Sequence, residues 1–208
     1  MRLRITFSKS GALRYTGHLD LHTLWERTIR RARLPLSYTR GFHPGPRIQI
    51  ASALPLGFIG RAEIVDIWLD SADIDLPTTG LLRSAAPPGL SILSVEAVDE
   101  HSPALQTQVV SAEYEVTLLD PLDKPELSER VSALLEAASL PRHRRGKPYD
   151  LRPLVEVLRL LPRPTAPVLY MRLSARDGAT GRPEEVLDSL GIPFETTRIE
   201  RICLDLKG

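Results

Sequence analysis

The residues with chemistry to offer crowd into two stretches. The first runs from Phe7 to Gly57 and holds three of the five histidines, His18, His22 and His43. It contains Ser8-Lys9-Ser10-Gly11, then Arg14-Tyr15-Thr16-Gly17-His18-Leu19-Asp20, then Arg40-Gly41-Phe42-His43-Pro44-Gly45-Pro46-Arg47. A histidine with Lys9, Arg14 and Tyr15 near it in sequence suits metal-free phosphoryl chemistry, because imidazole moves protons while cations stabilise phosphate charge. His18 is the candidate catalytic residue on that reading; on the other it is a hydrogen-bonded histidine at a helix start. His18 and His22 are four apart, so a helix puts them on one side, and His43 or Asp20 would complete a metal set. That spacing without an HExxH context is common, and no metal is assigned. In the loop, Phe42 offers a stacking surface, Arg40 and Arg47 offer cations to phosphate, and the Gly and Pro residues stiffen the backbone around His43. The alternative is a connector whose Phe42 plugs the core.

The second stretch is Arg142-His143-Arg144-Arg145-Gly146-Lys147, followed by Tyr149. Four cations and a histidine in six residues repel one another unless an anion is near. A phosphate-contacting loop using Arg144, Arg145 and Lys147 stands against a solvated one. No Walker loop, Gly-x-Gly-x-x-Gly fingerprint or Gly-x-Ser-x-Gly elbow occurs. Cys203 is the only cysteine, so an internal disulfide and a thiolate-held iron–sulfur cluster are both ruled out.

The elements that must position these residues follow from periodicity. Leu3, Ile5 and Phe7 alternate with Arg2, Arg4 and Thr6, as in a half-buried strand. Leu21, Leu24, Trp25, Thr28, Ile29 and Ala32 recur at helical spacing, with Asp20 in the first turn and Pro35 as the stop. Strands are expected at Ile48 to Ala53, around Val65 to Leu69 and at Leu90 to Val98, with a helix at Leu76 to Ala85. The second half repeats the order: a strand at Ala112 to Leu118, a helix opened by Asp123 and Glu126, a basic loop, strands at Leu154 to Leu161 and Leu169 to Leu173, a helix from Pro183, and a strand at Phe194 to Leu206. Two successive β-α-β-β-α-β runs predict an α+β fold of two ferredoxin-like repeats, residues 1–104 and 105–208.

A net charge of +1 hides segregation. Residues 1–50 carry ten Lys/Arg against two Asp/Glu, residues 51–141 four against fifteen, and residues 142–163 seven against two. Either a basic face is offered to an anionic partner, or the basic and acidic regions meet inside the fold. No apolar run reaches the roughly 18 residues a membrane span needs, and Met1 to Ile5 begins no signal peptide. With no disulfide, a cytoplasmic location is expected.

The Phe7-to-Gly11, Arg14-to-Asp20, Leu34-to-Arg47 and Ala53-to-Gly57 motifs resemble the radical-SAM-linked protein family of bacteria. Gly146-Lys147 and Asp150-Leu151-Arg152-Pro153 extend the likeness. Gly45 departs from it, since a larger and often basic residue is expected there. The resemblance implies a radical SAM partner, fused or separately encoded, that would carry the iron–sulfur cluster and S-adenosylmethionine, with no cofactor in this chain. The element order is also similar in architecture to CRISPR RNA-processing endonucleases, without their glycine-rich C-terminal loop. The resulting expectation is a non-enzymatic accessory module that presents structured RNA to the partner. A metal-independent nuclease or transferase centred on His18, and a protein-interaction adaptor, remain open beside it.

Overall fold

Alternation puts Leu3, Ile5 and Phe7 on the inner face of β1 (Arg2–Lys9), where all three are buried. The computed structural model describes residues 1–70, 78–120, 123–144, 146–163 and 166–207. It divides into two compact units, Met1–Val109 and Val110–Gly208.

In the first unit β1 is followed by a 3₁₀ turn (Gly11–Tyr15) and by α1 (His18–Arg31). Next come β2 (Ile48–Ile50), β3 (Ile59–Trp68), α2 (Thr78–Ala85), β4 (Leu90–Val98) and the single-turn α3 (Leu105–Gln108). The strands pair antiparallel in the order β4-β1-β3-β2. Leu21, Trp25 and Ile29 from α1 and Leu82 and Ala85 from α2 join the β1 side chains in one apolar cluster. Trp25 meets Phe7 edge to face at 4.9 Å. Residues 71–77 lie outside the described residues, so the expected start of the second helix at Leu76 does too.

Three details differ from the expectations. First, α1 ends at Arg31, ahead of Pro35. The Arg33 amide donates to Arg30 O and the Leu34 amide to Ile29 O, with Arg33 in the left-handed region at φ 56. That is a Schellman turn, and it terminates the helix without the proline. Second, residues 105–108 fall in the first unit. Leu105 is fully buried and its amide donates to Gln49 Oε1 at 3.0 Å. Third, the outward face of β1 is not solvated at Arg2. The Arg2 guanidinium gives two hydrogen bonds to the buried Asp66, at 2.9 and 2.6 Å, and others to Ser102 O and Pro103 O. Arg4 adds two more to the same carboxylate.

The second unit runs β5 (Val109–Leu118), α4 (Lys124–Glu136), β6 (Pro141–Arg144), β7 (Lys147–Asp150), β8 (Val155–Leu161), β9 (Val168–Arg176), β10 (Ala179–Thr180), α5 (Pro183–Ser189) and β11 (Thr197–Leu206). Asp123 caps α4 as its position suggests, accepting from the Glu126 amide at 3.1 Å. In the sheet β5 lies between β9 and β11, and β8 pairs antiparallel with β9, as does the short β10. With the β6–β7 hairpin and the two-residue β10 set aside, the order β11-β5-β9-β8 repeats the permutation of the first unit: fourth, first, third, second. The fold is therefore α+β, with antiparallel strand pairing in each unit.

Candidate functional site

The basic run expected as a loop is a hairpin. Its register pairs Pro141 with Asp150, Arg142 with Tyr149, His143 with Pro148 and Arg144 with Lys147. Alternation therefore places Arg142, Arg144, Lys147 and Tyr149 on one face. Gly146, at φ 76, serves the turn, and Arg145 lies outside the described residues. Asp150 fastens the base by accepting from the Leu140 and Arg152 amides at 2.7 and 2.9 Å. Those backbone donors hold its carboxyl below the usual range. Arg152 reaches Leu135 O with two further hydrogen bonds. Asp150 and Arg152 are thus the clamp of the Asp-Leu-Arg-Pro segment.

The inner arginines of the hairpin dock onto α5. Arg142 donates to Ser189 Oγ and lies 3.5 Å from Asp188; Arg144 lies 3.5 Å from Glu185 and donates to Thr180 O at 3.0 Å. The Arg144 guanidinium stacks on Tyr149 at 4.7 Å. Burial, and then a hydrogen bond to Glu185, push the Tyr149 hydroxyl up to about 12. What remains is a groove of about 450 Å³ lined by Arg144, Lys147, Pro148, Tyr149, Leu154, Gly178, Thr180 and Arg182. Among the described residues the lining has three cations, of which Arg144 is paired with Glu185, and one aromatic ring. Lys147 and Arg182 are exposed there.

In the first unit the candidates scatter. Lys9 points inward, 1% exposed, with its ammonium donating to Thr16 O at 2.8 Å. Its expected contact with substrate is replaced by this internal role, because burying an ammonium demands a fixed acceptor. Arg14 lies over the Tyr15 ring and donates to its hydroxyl at 2.6 Å. His18 is exposed at the first residue of α1, and His22 is half-buried. Asp20 is exposed and lines a cleft of about 380 Å³ with Thr16, Arg27 and Arg31. The cations expected around His18 are therefore engaged elsewhere. Among the described residues, His18, His22, His43 and Asp20 form no group with ligand atoms within 4.8 Å; Glu113, Cys203 and Asp205 do. Burial, followed by the two carboxylates, pushes the Cys203 thiol up to about 11.

The loop from Thr39 to Arg47 is braced at its base. The Thr39 amide donates to Gly45 O, the Gly45 amide to Thr39 Oγ1, and the Arg47 amide to Ser37 O. Arg40 and His43 are exposed, and so is Phe42, which is 102% exposed and plugs nothing. Arg47 stacks on Trp68 at 4.7 Å, and Arg2 lies over the same ring system at 4.8 Å.

Residues 2–183 match DUF2344, described as an uncharacterized protein conserved in bacteria. The chain belongs to the DUF2344 family. No curated protein matches it. A chain in the crystal structure of a Cbf5–Nop10–Gar1 complex is similar in fold, with a TM-score of 0.53 at 8% identity. The likeness covers 97% of the DUF2344 chain and 48% of the other, so the present chain spans about half the length of that neighbour. At that identity the likeness speaks for fold alone. Sequence reasoning on this DUF2344 chain missed Arg182 and Thr180 as groove residues, since only tertiary contact brings them to the hairpin. The Pro183 start of α5 was readable, but nothing in its surroundings points to residue 147.

Proposed function

We propose that this chain is a binding module that holds structured RNA and presents it to a radical SAM partner. The groove beside the hairpin carries the RNA half of the reading. Its exposed Lys147 and Arg182, with the Tyr149 ring beside them, suit a phosphate-bearing, stackable ligand. The radical SAM half rests on the family resemblance of the Arg14-to-Asp20 and Leu34-to-Arg47 motifs. That partner would supply the iron–sulfur cluster and S-adenosylmethionine. A single thiol does not fit a cluster in this chain. The shared strand permutation supports two ferredoxin-like repeats, and the reading places the protein in the cytoplasm.

The test is fluorescence anisotropy with labelled, folded RNA over a salt series. The Lys147→Ala, Arg182→Ala double variant alters two exposed side chains and spares the docking arginine Arg144. Its affinity falls roughly tenfold, and the slope of log affinity against log salt becomes shallower by about 2. Unchanged affinity and slope remove the groove from the RNA site. Wild-type protein that retains no RNA even at low salt, yet co-purifies with the radical SAM protein, leaves a protein adaptor in its place.

A further inference from the structure

Phe42 is the largest apolar side chain left wholly in solvent by the first unit, and its surroundings have a consistent chemistry. Residues 39–47 contain two arginines and a histidine and no acid. A phenyl ring left in solvent is as exposed in the folded chain as in the unfolded one, so the ring gains nothing from the chain's own packing. Leu34, Leu36 and Ile48, which flank the loop in sequence, are buried in the core cluster, and Phe42 is not part of it. The loop beneath the ring is ordered: the Tyr38–Pro46 bridge and the three loop hydrogen bonds close its neck. Pro44 and Pro46 restrict its backbone further, and Gly41 takes the positive φ of 142 that the turn needs. An aromatic side chain on a pre-ordered support loses little entropy when it binds. Arg47 is similarly held, its guanidinium laid on Trp68.

We infer that the 39–47 loop is a stacking finger for an unpaired nucleobase, in which Phe42 takes the base face while Arg40, His43 and Arg47 meet the adjoining phosphates. This deepens the RNA reading and rests on it. It separates two jobs: the hairpin groove of the second unit binds backbone charge, and the loop of the first unit selects RNA with an unstacked base. A duplex offers no free base face, so the finger discriminates a looped RNA from a blunt one. Gly45 supplies a second handle. A Cβ built there meets only Thr39 Oγ1, at 3.9 Å, and the backbone lies outside the positive-φ region, so a larger residue fits.

The experiment uses the full chain and two probes: an RNA hairpin with 2-aminopurine in its unpaired loop, and a blunt duplex of the same stem. With wild type, 2-aminopurine fluorescence is quenched on binding. Phe42→Ala loses the quenching and binds the looped RNA roughly tenfold or more weakly, while duplex affinity is unchanged. Phe42→Trp restores both, and Gly45→Lys tightens binding with a salt slope steeper by about 1. An unchanged melting temperature shows that Phe42→Ala remains folded, as full exposure requires. Equal binding of looped RNA by wild type and Phe42→Ala overturns the finger and leaves the groove reading intact. Loss of RNA binding by wild type itself overturns both. Sedimentation with anionic phospholipid vesicles that depends on Phe42, without quenching, overturns the finger in favour of a membrane anchor.

Discussion

At the scale of single residues, neighbours override intrinsic chemistry. Cys203 would titrate near its ordinary value on an open surface. Placed half-buried on β11 beside Glu113 and Asp205, its thiol is pushed up to about 11, by burial first and by the carboxylates second. Native protein at about pH 8 is therefore expected to react with iodoacetamide roughly a hundredfold more slowly than the same protein in urea. The folded pKa lies above the unfolded one, so the proton is held more tightly in the native state. That contribution is complete below the unfolded value near 9 and is lost as pH rises through 11. Urea melts across that window check the sign. Lys9 teaches the same lesson: its type suggested phosphate binding, but its strand position turned it toward Thr16 O.

At the scale of elements, periodicity and end signals told most of what could be told. The i, i+3, i+4 recurrence of Leu21, Trp25, Thr28 and Ile29 matches the buried face of α1, and Asp123 marked the start of α4. The end of α1 was misread because Pro35 is a strong stop signal, whereas the turn that ends the helix depends on Arg33 in a conformation that favours glycine. Arg33 is exposed, so Arg33→Gly relieves that strain and stabilises the protein by about 0.5–1 kcal/mol, measured by thermal or urea unfolding. The β6–β7 hairpin escaped notice for a different reason. Its alternation is one of charge with Pro and His, so no hydrophobic period announces it. Pro141, Gly146 and Pro148 read as loop punctuation, yet the strand pairing tolerates both prolines.

At the scale of the molecule, charges segregated in sequence meet in space. Arg2 and Arg4 come from the basic first fifty residues, and Asp66 from the acidic middle; they converge in a fully buried carboxylate site. The Met1 amino group likewise pairs with Glu100. Asp66→Asn leaves the Arg2 guanidinium, 1% exposed, without its counter-charge. A loss of about 3 kcal/mol or more is expected, read from urea midpoints with the slope unchanged. The remaining basic surface is correspondingly smaller than composition suggests. In the first unit it includes Arg40 and Arg47 on the braced loop, and in the second Lys147 and Arg182.

The sequence by itself marked the α+β class, most of the longer strands and helices and the buried stripe of α1, and its single cysteine is too few to hold a thiolate cluster within this chain. Each depends on local spacing or on counting residue types, and both survive folding unchanged. It also marked the 39–47 loop and the basic run as the places to look. Only the tertiary structure decided which cations face solvent, because burial and partner choice depend on residues far apart in the chain. Lys9 and Arg2 were withdrawn to the interior, Arg144 was docked against Glu185, and Arg182 was brought to Lys147. Whether Phe42 joins the core or faces solvent was likewise decided only by the folded chain, which leaves it exposed.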